Sequence, residues 1–216
     1  MRIEKKERAI VVIGKFNPAI FHPSWFKANE LMRESEIDNS ELKVVTNDLT
    51  IFKCGWLTVN VEQQRLQYVT TFESAFKSLM DISASTFKIL HHTPVQIFGI
   101  NHTRFYSFST QEERDAFGFR LVPKTNWDSF SSYVGFNNLE VYLNRKDSVP
   151  GRFGVTISPE LGSHTLIRVT FNDHHQFDQT KLNAIRLSEL IVEEWERSEG
   201  YADEVFNGLE ALGKGG

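Results

Sequence analysis

Histidine and carboxylate side chains carry most of the chemistry this sequence offers, and they gather at Asn172-Asp173-His174-His175. A carboxylate beside an imidazole suits a divalent metal ion or acid–base catalysis. Neighbouring side chains on an extended chain point to opposite faces, so Asp173 joins one of the two imidazoles and further ligands come from elsewhere. His22 and His102 are the natural helpers, because each follows the opening strand of its half of the chain. Metal-assisted hydrolysis by Asp173, His174, His102 and His22 is therefore one functional expectation. No HExxH or HxH spacing accompanies it, and the competing expectation is a polar turn at the rim of the molecule, satisfying backbone donors ahead of a helix.

Two further stretches invite a role. Gly99-Ile100-Asn101-His102-Thr103-Arg104 lies in an apolar strand. There Asn101 reads as a buried hydrogen-bonding residue joining two halves, Arg104 as a binding residue, and His102 as an acid–base partner for Asp173. Phe16-Asn17-Pro18-Ala19-Ile20-Phe21-His22-Pro23-Ser24-Trp25-Phe26 is an aromatic loop stiffened by two prolines. Phe21, His22, Trp25 and Phe26 read either as a recognition surface or as a hydrophobic lid over one end of the core. Cys54 is the one cysteine, so internal disulfides and four-cysteine metal sites are excluded, and it reads as a small core residue. The Walker, GxGxxG, GxSxG and kinase patterns are all missing. No cofactor is expected.

These residues need elements to hold them. A strand at about 9–16 leads into a helix opening at His22-Pro23, and strands follow across 42–70. A long helix then runs from Phe72 to about residue 91, capped by Thr70 with Glu73. The order restarts at Val95. A helix at 110–121 begins at Ser109-Thr110-Gln111-Glu112 with Ala116, Phe117, Arg120 and Leu121 inward, and Trp127, Phe130 and Val134 suggest another turn. Strands cross 138–171 and end before Asn172, and a helix at about 179–197 is capped by Asp178 or Thr180. Gly200 breaks it, leaving a short amphipathic helix. Alternation such as Leu57-Thr58-Val59-Asn60-Val61 predicts antiparallel sheet.

The predicted fold class is α+β: duplicated strand–helix–strands–helix units forming a mainly antiparallel sheet packed by long helices. The first half is 1–92 and the second 93–198, with 199–216 a short C-terminal helix and tail. This element order resembles the TATA-binding-protein-like fold, which implies a curved sheet backed by two long helices. The likeness is topological and carries no DNA function with it.

Composition narrows the partners. The net charge of −4 and pI near 6.0 give no basic footprint for nucleic acid, and Met1–Arg8 is mixed in sign and reads as a solvated leader. The eighteen phenylalanines point to a core of large flat rings. No apolar run reaches the ~20 residues a bilayer needs, and no secretory signal opens the chain, so a cytoplasmic location without membrane contact is expected. Phe16–Pro23, Gly99-Ile100-Asn101, Arg120-Leu121-Val122-Pro123-Lys124 with Trp127, and Asn172-Asp173-His174 together resemble a family of bacterial proteins of no established activity. That likeness implies a bacterial cytoplasmic origin and transfers no functional residue. The leading expectation is a non-enzymatic binding or assembly protein that meets a protein partner or a second copy of itself. The alternatives are the metal-assisted hydrolase and sequence-independent nucleic-acid binding on the sheet face.

Overall fold

The computed structural model describes residues 1–131, 134–135, 137–176 and 183–214. Period-2 alternation produces nine strands: β1 (Arg2–Gly14), β2 (Glu41–Val45), β3 (Leu49–Cys54), β4 (Leu57–Glu62), β5 (Arg65–Thr70), β6 (Val95–Ser107), β7 (Leu139–Asn144), β8 (Gly151–Pro159) and β9 (Leu166–Gln176). They form one sheet in the order β2-β3-β4-β5-β1-β6-β9-β8-β7, and neighbours run antiparallel throughout. Five described α-helices accompany it: α1 (Pro23–Ala28), α2 (Glu34–Asp38), α3 (Phe76–Ile89), α4 (Gln111–Leu121) and α5 (Ala184–Lys214). The expected α+β class with an antiparallel sheet is therefore observed.

The helices share one face of the sheet. One apolar cluster joins Ile10, Val12, Phe98 and Ile100 to Leu79 and Phe87 of α3 and to Leu187 and Ile191 of α5. A second joins Phe153, Val169 and Phe171 to Phe117 of α4 and to Ala202 and Phe206 of α5. Phe26 of α1 meets Phe52 and Tyr68 edge-on, with centroids 5.4 and 6.1 Å away. The rings fill the interior as expected. Cys54 is buried there too, and desolvation pushes its thiol up to about 11.

Several boundaries differ from expectation. Met1–Arg8 is not a solvated leader, because Arg2–Arg8 belongs to β1 and pairs with β6 from Ser107 to His102. Thr70 does not cap α3: its hydroxyl donates to the Trp56 carbonyl, Phe72 is exposed, and a 3-10 turn at Glu73–Ala75 precedes the helix. Thr110 does cap α4, accepting from the Glu113 backbone, and the Ser109 backbone N–H donates to the Glu113 carboxylate rather than to Glu112. Ala116 points outward while Phe117 and Gly118 are buried. Around Trp127 the chain makes a 3-10 turn, Lys124–Asn126, and then one more turn in which the Phe130 and Ser131 amides donate to the Trp127 carbonyl.

The closing helix is continuous through Gly200. A mid-helix glycine costs about 1 kcal/mol. Full burial of Phe206 alone returns about 1.5–3 kcal/mol, so tertiary packing overrides the break. Asp178 and Thr180 lie outside the described residues. Asn183 Oδ1 accepts from the Arg186 backbone at the start of the helix.

Candidate functional site

The largest correction concerns Asn172–His175. β9 continues through Gln176, flanked by β6 and β8, so these residues form a strand inside the sheet and not a rim turn. β6 is thirteen residues long and offers partners for the whole run, Ile100 to Asp173 and Phe98 to His175. Asp173 and His175 point toward the helices and are fully buried, while Asn172 and His174 point to the other face.

Around Asp173 an ionic cluster is assembled from three elements. The Arg145 side chain, 2% exposed, comes from the turn after β7. Its Nη1 donates to Asp173 Oδ1 and its Nη2 to Glu194 Oε2 of α5 at 3.2 Å. Nε and Nη2 also donate to Asp147 at 2.8 and 2.9 Å. Arg197 Nη1 donates to Glu194 Oε1 at 2.6 Å. His175 Nε2 is 3.0 Å from Asp173 Oδ1, and its ring stacks flat on Phe98 with centroids 4.3 Å apart. Asp173, His175 and Glu194 each offer a ligand atom within 4.8 Å of the others, and Asp173 Oδ2 has no hydrogen-bond partner among the described residues. A divalent cation fits this donor set by type. The Arg145 guanidinium already supplies the cluster's positive charge, so a metal ion must compete with it.

The expected site residues do not converge. His22 caps α1, its Nδ1 accepting from the Ser24 backbone at 3.2 Å. His102 is fully buried against α5, with Nε2 2.9 Å from Ser198 Oγ. Burial, together with Arg8 and Arg104, holds its imidazole well below the usual range. His102 pairs with Phe171 and Ile100 with Asp173, so the proposed acid–base couple is two strand positions out of register. His174 is on the opposite face from Asp173, beside Arg152 of β8. Phe21 and Phe26 are core residues, which takes their rings out of any exposed surface, and Trp25 packs half-buried against them. Arg104 is buried, tied to Asp203 and Glu210 of α5, and lies over the Phe206 ring, so its charge is already paired within the chain.

Asn101 is the expected binding residue that does face outward. It belongs to the sheet face that no described helix covers. Cross-strand pairing lays one row over that face from Thr58 through Val69, Ala9, Asn101 and Asn172 to Gly154. The next row runs from Asn60 through Gln67, Val11 and Gly99 to His174. Small residues form the floor at the centre, and four carboxamides stand around it. The Asn172 amide leans across Gly99, where an added Cβ would meet Oδ1 at 2.8 Å. Neither Asn60 Oδ1 nor Asn172 Oδ1 has a hydrogen-bond partner among the described residues. Lys5, Arg65, Arg152 and Arg168 on this face alternate with Glu7, Glu62 and Glu140 in the pairing pattern.

No family model and no curated protein matches the chain.

From the sequence Glu194 reads as exposed beside Glu189, Glu193 and Glu196, yet it is buried, and its spacing carried the signal. Leu187, Ile191, Glu194, Ser198 and Ala202 fall at successive spacings of four, three, four and four, the buried stripe of α5. Arg145 sits in a turn, and no periodicity marks it.

Proposed function

We propose that this protein is a non-enzymatic binding or assembly protein of the bacterial cytoplasm, a subunit of a small complex that offers its uncovered sheet face to a protein partner. The observation that carries this reading is the one-sided packing, with helices on one face and the carboxamide-bordered floor of Ala9 and Gly99 on the other. Carboxamides both donate and accept hydrogen bonds, which suits a polypeptide surface. Acidic and basic residues are interleaved there, so the face lacks the cationic excess that drives nucleic-acid binding. The same reading treats the chain as two related halves. The strand order supports this, since β1 to β5 lie on one side of the central β1–β6 pair and β6 to β9 on the other. The analogy to the TATA-binding-protein-like fold rests on that arrangement alone.

Affinity purification from a bacterial host with wild-type protein and Asn101→Arg tests the reading. A protein retained by the wild type and by the helix-side surface variant Phe72→Ala, and lost with Asn101→Arg, is the expected result. Equal recovery with all three would sink it. Retention of the wild type on DNA at low salt, lost at high salt, would favour the nucleic-acid alternative instead.

A metal-assisted hydrolase has one observation in its favour, the Asp173–His175–Glu194 grouping. It predicts that Zn²⁺ or Mn²⁺ raises the melting temperature of wild-type protein and not of His175→Asn. No shift in either protein removes the support.

A further inference from the structure

We infer that the outer edge of β7 pairs with β7 of a second copy, joining two sheets into one across a twofold axis at Val141. This deepens the self-association part of the reading above and is independent of what binds the uncovered sheet face. The two ends of the sheet are built differently. At one end β2 carries Lys43 and a break in register between Leu42 and Val44, a bulge that disfavours further pairing. At the other end β7 pairs with β8 without a break over all six residues, Leu139 to Asn144. Its sequence, Leu-Glu-Val-Tyr-Leu-Asn, has one charge and no lysine or proline, and its outer edge has no partner among the described residues. An unguarded flat edge of this kind is a template for another strand.

The side chains favour a second copy as occupant. Antiparallel pairing about Val141 sets Val141 opposite itself, Leu139 opposite Leu143, and Glu140 opposite Tyr142. Both apolar pairs fall on the helix side, and no like charges oppose each other. The Tyr142 hydroxyl already donates to Glu140 at 2.7 Å within one chain, and the pairing places it beside the same acceptor across the axis. Val141 and Leu143 are 40% and 38% exposed because α5 does not reach over β7. Leu143 borders a groove of about 360 Å³ whose walls include Phe153, Phe171, Tyr201 and Val205, with Lys146 and Glu204 among its lining. The apolar side chains of a second β7 lie next to that groove and shield it from water.

Light scattering on the full chain reads the mass directly. Twice 24.9 kDa is expected for the wild type, and close to 24.9 kDa for Val141→Lys, which opposes two ammonium groups at the axis. Val141→Cys reads the register. Directly opposed residues lie about 4.5–5.5 Å apart at Cα, within disulfide reach, so mild oxidation should give a reducible dimer. Glu140→Cys alone should not, and a mixture of Glu140→Cys with Tyr142→Cys should. Circular dichroism confirms that each variant folds, and Val141→Cys decides the matter if Val141→Lys does not. A wild-type mass of 24.9 kDa at high micromolar concentration overturns the proposal. So does Val141→Cys cross-linking no faster than Thr58→Cys on the uncovered face. Asn101→Arg should keep the dimer mass, which separates this result from any failure of partner binding.

Discussion

Arg145 and His102 are the residues on which the interior charge balance turns. Removing Arg145 leaves Asp173 buried without its guanidinium counter-charge and Glu194 with Arg197 alone. Arg145→Met should therefore cost about 3–5 kcal/mol in urea unfolding. Adding Asp173→Asn and Glu194→Gln should restore part of that loss, and a triple variant as unstable as the single one would contradict this account. His102 gives a pH dependence. Folded, its imidazole stays neutral; unfolded, it takes up a proton near pH 6.5. Stability is thus complete above about pH 6.5 and falls as the pH drops below it, by at most about 1.4 kcal/mol per pH unit from this group. His174, also lowered by burial and by Arg152, adds to the same slope. Urea midpoints at pH 5 and 7 should differ less in His102→Gln than in the wild type. At this scale the sequence was partly legible. Asp173 stood out by its type, but polar side chains on the buried register of β9 interrupt the hydrophobic alternation of Ile167, Val169 and Phe171. That interruption hides the strand and makes Asn172–His175 look like a turn.

Among the elements, those with strong periodicity were readable and their ends were not. The strands at 57–70 and the helix centred on Leu79–Phe87 follow their apolar spacing closely. The first half of β1 was hidden because Arg2–Arg8 is mostly charged, and its place comes from pairing with β6, which local pattern does not encode. Gly200 misled in the other direction, since helix propensity is weak beside the packing of Ala202 and Phe206. No atom outside the local helix backbone lies within 4 Å of where its Cβ would be. Gly200→Ala should accordingly stabilise the protein by about 1 kcal/mol. Gly151, at the start of β8, should behave oppositely. Its φ is +143°, and a Cβ there would lie 2.0 Å from the His174 carbonyl oxygen. Gly151→Ala should cost more than about 1 kcal/mol, because backbone and not a movable side chain is in the way. Thermal melts of the two variants on either side of the wild type would check both.

For the molecule as a whole, α+β class and antiparallel pairing followed from alternation, and the site of strand contact did not. Sequence order places β1 and β6 far apart, yet they form the middle of the sheet, with partners from Arg2–Ser107 to Gly14–Val95. The first strand made therefore waits for a complement that is synthesised much later. At typical ribosomal speeds the wait is on the order of ten seconds, with one side of β1 bare throughout. A polypeptide ending at residue 92 should thus be sticky and insoluble when produced alone, and should become soluble when 93–216 is produced beside it. The seam that holds the finished protein together is also the point at which its birth is most vulnerable.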